Sequence, residues 1–514
     1  MTRLQSRLLQ GGVHLGTVGV VWAVLAVVQW LLIGPRTFLD YTYLMLSTVA
    51  FLPFSLLLTN FVYHFAYAGE TLDRKRLLDA GPNVAVLYTT YNDVLPGCLE
   101  ETERAVEYPV DYWILSDSDD RTAIDTERKF GRWRRYTREN GRGGKCGIIN
   151  DWLAEHGDEY EYFITLDADT MLAPGNVTRL VEHAEHPENA DVGIFQTLKE
   201  VHPDLATTPF ARIIGRGVKW STRISPLVTK LVYGQNTYWG SAGLIRKRAV
   251  LDVGGYDEHL LCEDFVLTTK LDKAGWQTIV VDQRSYEGFP LDLHALRVRT
   301  VRWVRANRQM LPLLFSSDVS IGTRMNCLTP IMFYTVTPIL LGLVVLATIL
   351  PAFGDAAVPS AAFAALVFAF IFFHRGVVAR RELRAFLATA TLETLVVLGM
   401  SLRVTGALLL GRSVWIPSRK VSREFDWSES LQHTYPEVGF GLLLAGALIV
   451  RRHNPGLILL IGLWAGSFLS APFILRYSSL ASDTPVPMKL PHDPERGTKM
   501  EAETQPVDTR NRTS

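Results

Sequence analysis

The distribution of apolar residues constrains this chain more than any other feature. Residues 15–33 are almost entirely apolar, and residues 41–68 contain no Asp, Glu, Lys or Arg. Each stretch can cross a hydrocarbon core, which takes about 20 residues in a helix. Further apolar stretches follow residue 325, whereas charged residues return between about residues 80 and 318. The sequence therefore predicts a polar domain inserted between transmembrane helices.

Basic residues set the expected orientation of the first two spans. Arg3 and Arg7 precede the first span, and residues 74–76 (Arg-Lys-Arg) follow the second. Because positive residues stay on the cytoplasmic side, both ends of this hairpin are expected in the cytoplasm. A second span follows the first directly, so the first is not predicted to be a cleaved signal peptide.

The composition divides the chain into four predicted parts. They are an N-terminal transmembrane hairpin (1–79), a cytoplasmic domain (80–318), a C-terminal transmembrane region (319–476) and a disordered polar tail (477–514). In the third part, 386–411 carries Glu393 and Arg403 and has basic residues on both sides, which favours a re-entrant or interfacial helix pair over one crossing. Residues 413–435 are expected to form a cytoplasmic segment.

Charge and cysteine spacing exclude several classes of function. The formal net charge is +0, so nothing in the overall charge attracts nucleic acid. The four cysteines are scattered and form no CxxC pair, which argues against a zinc site and against a disulfide framework.

The polar domain alternates short apolar runs with helical stretches. Four runs read as strands: VAVLYTTY (84–91), DYWILSD (111–117), FITLD (163–167) and DVGIFQT (191–197). Strands that alternate with helices predict a mainly parallel α/β sheet, in which ligands bind beyond the carboxyl ends of the strands.

Acidic residues follow several of these strands. They are Asp93, Asp117, Asp119, Asp167 and Asp169. Side chains alternate along a strand, so Asp167 and Asp169 are expected to point to one side. Two like charges held so close repel each other unless a cation lies between them, and Mg²⁺ binds one or two carboxylates together with substrate phosphates. A solvated turn after a strand is the alternative interpretation of this DxD motif.

Three later segments also carry candidate functional residues. TYWGSAGLIR (237–246) contains a small-residue turn that lets backbone approach a ligand closely. Glu263 and Asp264 open a predicted helix, where acids either complement the helix dipole or supply a general base. RVRTVRW (297–303) is basic, which suits either a helix at a membrane surface or neutralisation of a leaving phosphate.

Taken together, these motifs resemble those of family 2 processive glycosyltransferases of the cellulose-synthase type. Finer matches are similar to the glucans biosynthesis glucosyltransferase H family, and they cover roughly residues 40–480. They are WILSDSDD (113–120), GGKCGIINDW (143–152), TYWGSAGLIR, EDFVLTTKLDKAGW (263–276), SYEGFP (285–290), WIPSRKVSREFDWSESLQH (415–433) and NPGLILLIGLWAGSFLSAPF (454–473).

The resemblance implies a role for each matching residue. The fold would be a GT-A-type, Rossmann-like mixed α/β sheet inserted between transmembrane α-helices. Asp264 would be the catalytic base. The donor-binding residues would be Asp93, Asp117, Lys145, Asp167 and Arg302. The acceptor-binding residues would be Trp303, Trp239, Gly240, Ser241 and Glu263. Asp167 and Asp169 would bind Mg²⁺ or Mn²⁺.

The resemblance also implies substrates and partners. It predicts an inverting glucosyltransferase of the inner membrane that transfers glucose from UDP-glucose to a growing β-glucan and exports the glucan through the lipid bilayer. A periplasmic glucan-processing protein and acyl carrier protein are further implied partners, with no nucleic acid. The alternatives are another membrane polysaccharide or glycolipid synthase that uses a UDP-sugar, and a transporter with a nucleotide-sensing domain.

Two positions depart from the cellulose-synthase pattern. Ile148 stands where the KxGN segment ends in Asn, and Arg299 stands where the QxxRW motif begins with Gln. The second change is shared with the glucosyltransferase H family.

Overall fold

A computed structural model describes residues 3–65, 81–139, 141–260, 262–350, 383–410, 423–450 and 453–479. Within these residues the helices are α1 (Arg3–Ile33), α2 (Phe38–Ala50), α3 (Leu52–Phe65), α4 (Pro96–Ala105), α5 (Arg121–Glu127), α6 (Gly144–His156), α7 (Asn176–Ala184), α8 (Pro209–Tyr233), α9 (Lys247–Asp252), α10 (Glu263–Lys273), α11 (Leu293–Leu314), α12 (Ile321–Ile349), α13 (Leu383–Leu409), α14 (Trp427–Val450), α15 (Pro455–Leu469) and α16 (Ala471–Ser478).

Eight strands form one mixed sheet. They are β1 (Val84–Thr90), β2 (Asp111–Ser116), β3 (Trp133–Thr137), β4 (Tyr162–Asp167), β5 (Thr170–Leu172), β6 (Val192–Val201), β7 (Gly243–Arg246) and β8 (Gln277–Glu287), in the order β3-β2-β1-β4-β7-β6-β8-β5. The first four strands in this order are parallel, whereas β7 is antiparallel to both of its neighbours and β5 is antiparallel to β8. The predicted mixed α/β fold is therefore confirmed.

The register brings several strand ends to one edge of the sheet. Thr89 pairs with Asp167 and Thr90 with Ser116, so β1, β2 and β4 end together. Because β7 runs antiparallel to β4, its first residue, Gly243, lies at that same edge, and it pairs there with Gln196 of β6. Parallel pairing of β6 with β8 adds the end of β8 to this edge.

Both faces of the sheet are buried, which explains why its strands read as continuous apolar runs. Along β1, Val84, Val86 and Tyr88 pack into one core cluster, whereas Ala85 and Leu87 pack into another on the opposite face. All seven residues of β1 are buried. The central strands are thus held by packing on both faces.

Long apolar helices flank the sheet domain. In the part of the chain that the structure describes, five helices are long and apolar enough to cross a membrane: Gln10–Ile33, Ile321–Ile349, Leu387–Leu409, Trp427–Val450 and Gly456–Ser478. Helices α2 and α3 would together make one more span, bent by 40° at the break between them. These helices support a membrane protein, as the sequence predicted.

Helix α8 joins the sheet domain to the N-terminal helices. It begins after Thr208, whose hydroxyl accepts the N–H of Ala211, and Pro209 follows at the first helical position. At its other end, the Tyr233 hydroxyl lies 2.9 Å from Nδ1 of His14, a buried residue of α1. Nε2 of the same histidine lies 3.0 Å from Oδ1 of Asn60 in α3.

The predicted membrane segments differ in how they compare with the structure. Where the sequence favoured a helix pair at 386–411, the structure has one continuous helix, α13. The stretch at 41–68 was predicted to be able to span the membrane, and α2 and α3, which form its described part, would together make one span with a 40° bend. The expected span at 356–373 and most of the predicted tail at 477–514 lie outside the described residues.

Candidate active site

The loops after β1 and β2 hold the first two predicted donor residues. Asp93 accepts the N–H of Tyr91 and the hydroxyl of Thr90, both at 3.0 Å, so its carboxylate closes the turn after β1. Asp117 accepts two bonds of 2.9 Å from Arg138, one from Nε and one from Nη2. The structure therefore places both acids at the same edge and gives Asp117 a bidentate cationic partner.

The end of β4 carries an ion pair between two predicted donor residues. Nζ of Lys145, in the first turn of α6, donates to Oδ1 of Asp167 at 2.5 Å and to the carbonyl of Gly240 at 2.8 Å. Burial alone would lower the pKa of Lys145, but the carboxylates of Asp167 and Glu263 outweigh burial and raise it. Lys145 therefore stays cationic between β4 and the Gly240 turn.

The second acid of the DxD motif lies against the end of β8. The carbonyl of Asp169 accepts the N–H of Gly288 at 3.0 Å. A β-carbon at Gly288 would lie 2.6 Å from Oδ2 of Asp169, so the close approach requires glycine there. The SYEGFP segment thus has a physical role, which is to receive the Asp169 carboxylate.

The predicted acceptor turn packs on the start of α10. Gly240 has φ +79°, and a β-carbon there would lie 3.7 Å from Oδ2 of Asp264 and 3.8 Å from Oε1 of Glu263. Gln196 of β6 accepts the N–H of Trp239 at 3.0 Å. The hydroxyl of Ser241 is fully buried, so the structure puts this residue beneath the turn, out of reach of an acceptor.

A lysine that the sequence did not single out supports this turn. Lys199 of β6 is buried, and its Nζ donates to the Ser241 hydroxyl at 2.8 Å and to the Trp239 carbonyl at 2.9 Å. It also pairs with Glu287 at the end of β8, at 3.0 Å. Lys199 therefore fixes the turn to two neighbouring strands.

Glu263 and Asp264 open α10 side by side. Oδ1 of Asp264 accepts the N–H of Phe265 at 2.8 Å. Burial, together with the charge of the adjacent Glu263, raises the pKa of Asp264 to about 7. A carboxyl whose pKa lies near neutrality can both accept and release a proton at physiological pH, which is what general-base catalysis requires.

Helix α11 brings the basic motif to the same place. Burial lowers the pKa of Arg302, and the charges that oppose this shift are the carboxylates of Glu263, Asp167 and Asp264. Arg302 thus lies among the acids of β4 and α10. One turn of the helix away from Arg299, Trp303 has 44% of its surface exposed.

Asp167 and Asp169 are the two carboxylates that the sequence predicted as metal ligands. Among the described residues, no group of three or more His, Cys, Asp or Glu side chains could hold a metal ion. Asp167 and Asp169 offer hard oxygen ligands but cannot complete a coordination shell. Mg²⁺ is bound in this way in many phosphate-transferring sites, where the substrate and water supply the other ligands.

Residues 162–378 match the family model described as glycosyl transferase family group 2. This range begins at β4 and includes the DxD motif, the Gly240 turn, the acids of α10 and the basic motif of α11. The chain contains a family 2 glycosyltransferase domain. The prediction of that family from the sequence is confirmed.

Curated relatives carry the name that the sequence motifs suggested. The glucans biosynthesis glucosyltransferase H of Shewanella sp. (strain W3-18-1) is 26% identical over 353 residues, which cover 60% of this chain and 46% of the relative. That of Xylella fastidiosa (strain 9a5c) is 29% identical over 280 residues, covering 48% and 41%. The chain thus spans less than half the length of these relatives.

Among solved structures, the glycosyltransferase domain is similar to the mannosyltransferase PcManGT from Pyrobaculum calidifontis, which was determined with GDP-Man and Mn²⁺. The sequences are 17% identical, the TM-score is 0.46, and the similarity covers 68% of this chain and 98% of that protein.

The sequence did not reveal all the residues that build the site. The expected end of β6 was Thr197, but the strand continues to Val201, and Lys199 lies in this continuation. A lysine that continues an apolar strand is a usable signal, because buried lysines are rare unless they are paired. Arg138 gave no such signal, since it lies in an arginine-rich run and its pairing with Asp117 depends on the fold.

Proposed function

We propose that this protein is a membrane-bound inverting glucosyltransferase, which transfers glucose from UDP-glucose to a growing β-glucan and passes the product across the membrane. The single observation that carries the proposal is the placement of Asp264. Its carboxyl, with a pKa raised to about 7, lies against the Gly240 turn and within the electrostatic reach of Arg302, at the edge where β4 ends in Asp167.

The donor is proposed to lie along the carboxyl ends of β1, β2 and β4. Asp93 and Asp117 would contact the uracil and ribose, with Arg138 holding the Asp117 carboxylate in one orientation. Lys145 and Arg302 would face the diphosphate. Two cations that are fixed in advance stabilise a leaving diphosphate without having to reorganise as its charge develops.

The acceptor is proposed to lie between Trp303 and the turn of Trp239 and Gly240. Asp264 removes the proton of the acceptor hydroxyl as that oxygen attacks C1 of glucose. The bond between C1 and the diphosphate oxygen breaks, UDP departs with the bonding electrons, and the configuration at C1 is inverted. Glu263 would hold the acceptor hydroxyl toward Asp264.

A divalent cation, Mg²⁺ or Mn²⁺, is proposed to bind at Asp167 and Asp169. Its chemistry is that of a Lewis acid, which neutralises negative charge on the phosphate oxygens. The protein's own contribution is to hold this segment in place: Lys145 pairs with the Asp167 carboxylate, and the N–H of Gly288 donates to the main-chain carbonyl of Asp169.

The location is proposed to be the inner membrane, with the glycosyltransferase domain on the cytoplasmic side. The basic residues at 74–76 and 379–384 support this orientation, because cytoplasmic loops carry an excess of positive charge. The four native cysteines are buried. A cysteine introduced at exposed Asp125 should therefore resist impermeant maleimide in intact cells and react after lysis, and reaction in intact cells would reverse the orientation.

The proposed activity is tested by incubating purified membranes with UDP-glucose. UDP release together with β-linked glucan, identified by linkage analysis, is the expected result. Release from a different UDP-sugar instead would favour another polysaccharide or glycolipid synthase. Binding of UDP-glucose without UDP release would favour a transporter with a nucleotide-sensing domain and would contradict the proposal.

A further inference from the structure

Arg299 lies between two aromatic rings. The carbon at the centre of its guanidinium lies 4.5 Å from the ring centroid of Phe289 and 4.6 Å from that of Trp303. Arg299 and Trp303 are four residues apart on α11, so they occupy the same face of the helix. Within the described residues, Nε of Arg299 has no hydrogen-bond partner. The rings of Phe289 and Trp303 are therefore the contacts that hold the plane of the Arg299 guanidinium.

The same stack is joined to the DxD motif. Phe289 is buried and directly follows Gly288, whose N–H donates to the Asp169 carbonyl. Burial lowers the pKa of Arg299, while the carboxylates of Glu287 and Asp169 are among the charges that oppose this shift. A chain of contacts thus runs from Asp169 through the Gly288–Phe289 backbone to Arg299 and Trp303.

We propose that Arg299 is a positioning residue that fixes the indole of Trp303 by covering one of its faces and leaving the other for a sugar ring of the acceptor. The inference rests on the proposed function, because it assigns the acceptor platform of that same site. The polar Gln of the related QxxRW pattern has no cationic plane to lay on the indole, so this chain orients its tryptophan in a different way.

The chemistry of the guanidinium explains why arginine suits this position. Its plane is delocalised and weakly hydrated, so it can lie flat on an aromatic ring, whereas the ammonium of lysine is a compact, strongly hydrated charge. A lysine at residue 299 would keep the positive charge near Asp169 and Glu287 but could not fill the space between two rings. Charge and stacking can therefore be separated by substitution.

The test compares Arg299→Lys, Arg299→Gln and the control Arg305→Lys. Arg305 is half-buried on the same helix, and its Nε also lacks a partner among the described residues. The first readout is acrylamide quenching of Trp303 fluorescence, isolated by subtracting the emission of the same protein with Trp303→Phe. The second is the KM for cellobiose, laminaribiose and sophorose as acceptors in UDP release.

Both Arg299 variants should make Trp303 more accessible to acrylamide and raise the acceptor KM by roughly 2- to 30-fold, the range that a cation–π contact can support. Arg299→Lys should leave UDP affinity near that of the wild type, and Arg305→Lys should change nothing. Wild-type quenching and acceptor KM in Arg299→Lys would overturn the inference, since charge alone would then suffice.

The two proposals fail in different ways. If none of the disaccharides stimulates UDP release by the wild type, the proposed acceptor class is wrong, yet the quenching of Trp303 still decides the role of Arg299. If UDP release is normal and quenching is the same in all three variants, the positioning role is wrong while the proposed function stands.

Discussion

Two clusters of charged residues in this molecule contain similar residue types but differ in how the charges are arranged. The catalytic cluster, which we define as Lys145, Asp167, Glu263, Asp264 and Arg302, lies half-buried at the edge of the sheet. The membrane cluster consists of Arg297 of α11, Arg403 of α13 and Glu437 of α14. Glu437 is 0% exposed and lies in a helix that can span a membrane.

In the membrane cluster, two arginines share one carboxylate. Glu437 accepts from Arg403 Nε at 2.8 Å and from Arg403 Nη2 at 3.2 Å, and it pairs with Arg297 Nη2 at 3.3 Å. The His433 carbonyl takes one further N–H from each arginine, at 3.0 and 3.4 Å. Both oxygens of this buried carboxylate therefore have an arginine partner.

In the catalytic cluster, carboxylates lie close enough to repel each other. Two of its acids are adjacent in sequence, and the repulsion between them adds to burial in raising the pKa of Asp264. The difference between the clusters is that like charges are adjacent in the catalytic cluster, whereas arginines surround a single carboxylate in the membrane cluster. A carboxyl with a raised pKa is a candidate for reaction, and an ion pair between helices suits a structural joint.

The largest expected effect comes from removing a carboxylate that is proposed to bind the metal ion. Asp169→Ala should abolish turnover, because one of two cation-binding carboxylates is lost, and chelation of the wild type should do the same. UDP affinity, measured by calorimetry with Mg²⁺ and with chelator, should fall in both cases. The control Asp125→Ala removes an exposed acid of α5 and should change neither. Equal UDP affinity in chelator and in Mg²⁺ would mean that the DxD motif is a turn without a metal.

Asp264→Asn removes the proposed proton acceptor but keeps the size and shape of the side chain. Turnover should fall by roughly two orders of magnitude or more, since a positioned base contributes about 10²- to 10⁴-fold. UDP-glucose binding should stay nearly unchanged, because the donor contacts lie on other strands. The amide oxygen of asparagine can still accept the Phe265 N–H, so the melting temperature should stay close to that of the wild type. Wild-type glucan synthesis by this variant would remove Asp264 from the mechanism, and Asp119 or Glu263 would become the candidate base.

Breaking the membrane cluster should affect stability more than chemistry. Glu437→Gln removes the anion that the buried Arg297 and the partly exposed Arg403 share, and removal of one partner of a buried pair costs about 3–5 kcal/mol. The measurement is thermal unfolding of the purified protein in detergent. The matched control Asp125→Asn breaks the exposed pair with Arg128, worth about 0–1 kcal/mol. An unchanged melting temperature for Glu437→Gln would show that the membrane cluster is not a structural joint.

The sequence predicted the central strands and the placement of their acids because both signals are local. Strands β1, β2 and β4 are continuous apolar runs that end in polar residues, so their pattern is visible without the fold. Strand β3 was missed because the two aromatic residues of WRRYT are three positions apart with two arginines between them, so this edge strand shows no apolar run and no strand period. Strand β7 was missed because four residues are too few to show a period.

Pairings between distant residues could not be read from the chain. Arg403 lies ten residues from Glu393 on the same helix, but it pairs with Glu437 of the neighbouring helix. That neutralisation explains how α13 can be one continuous helix despite its charges. The bonds of Lys199 to Ser241 and of Arg138 to Asp117 likewise depend on the order of the strands.

The pH dependence of turnover gives a smaller and more specific test of the catalytic cluster. A carboxyl with an ordinary pKa of 3.8 would stay deprotonated throughout the neutral range, but Asp264 has a pKa of about 7. The base is active only when deprotonated, so kcat at saturating UDP-glucose should fall as the pH drops below about 7, approaching tenfold per pH unit. A rate that stays flat down to pH 5 would contradict this assignment.

Glu263→Gln should then move that acidic limb of the profile and separate the two causes of the raised pKa. Burial is the larger cause and the Glu263 charge the second. Removing the charge relieves the repulsion, so the limb should shift to lower pH, but burial should keep it above the pH expected of an exposed aspartate. The donor phosphates titrate identically in both proteins, so the difference between the two profiles belongs to the enzyme, and Asp125→Asn should leave the limb in place. A limb that does not move in Glu263→Gln would show that the neighbouring acid has no electrostatic effect on Asp264, and the two would then have to be treated as independent groups.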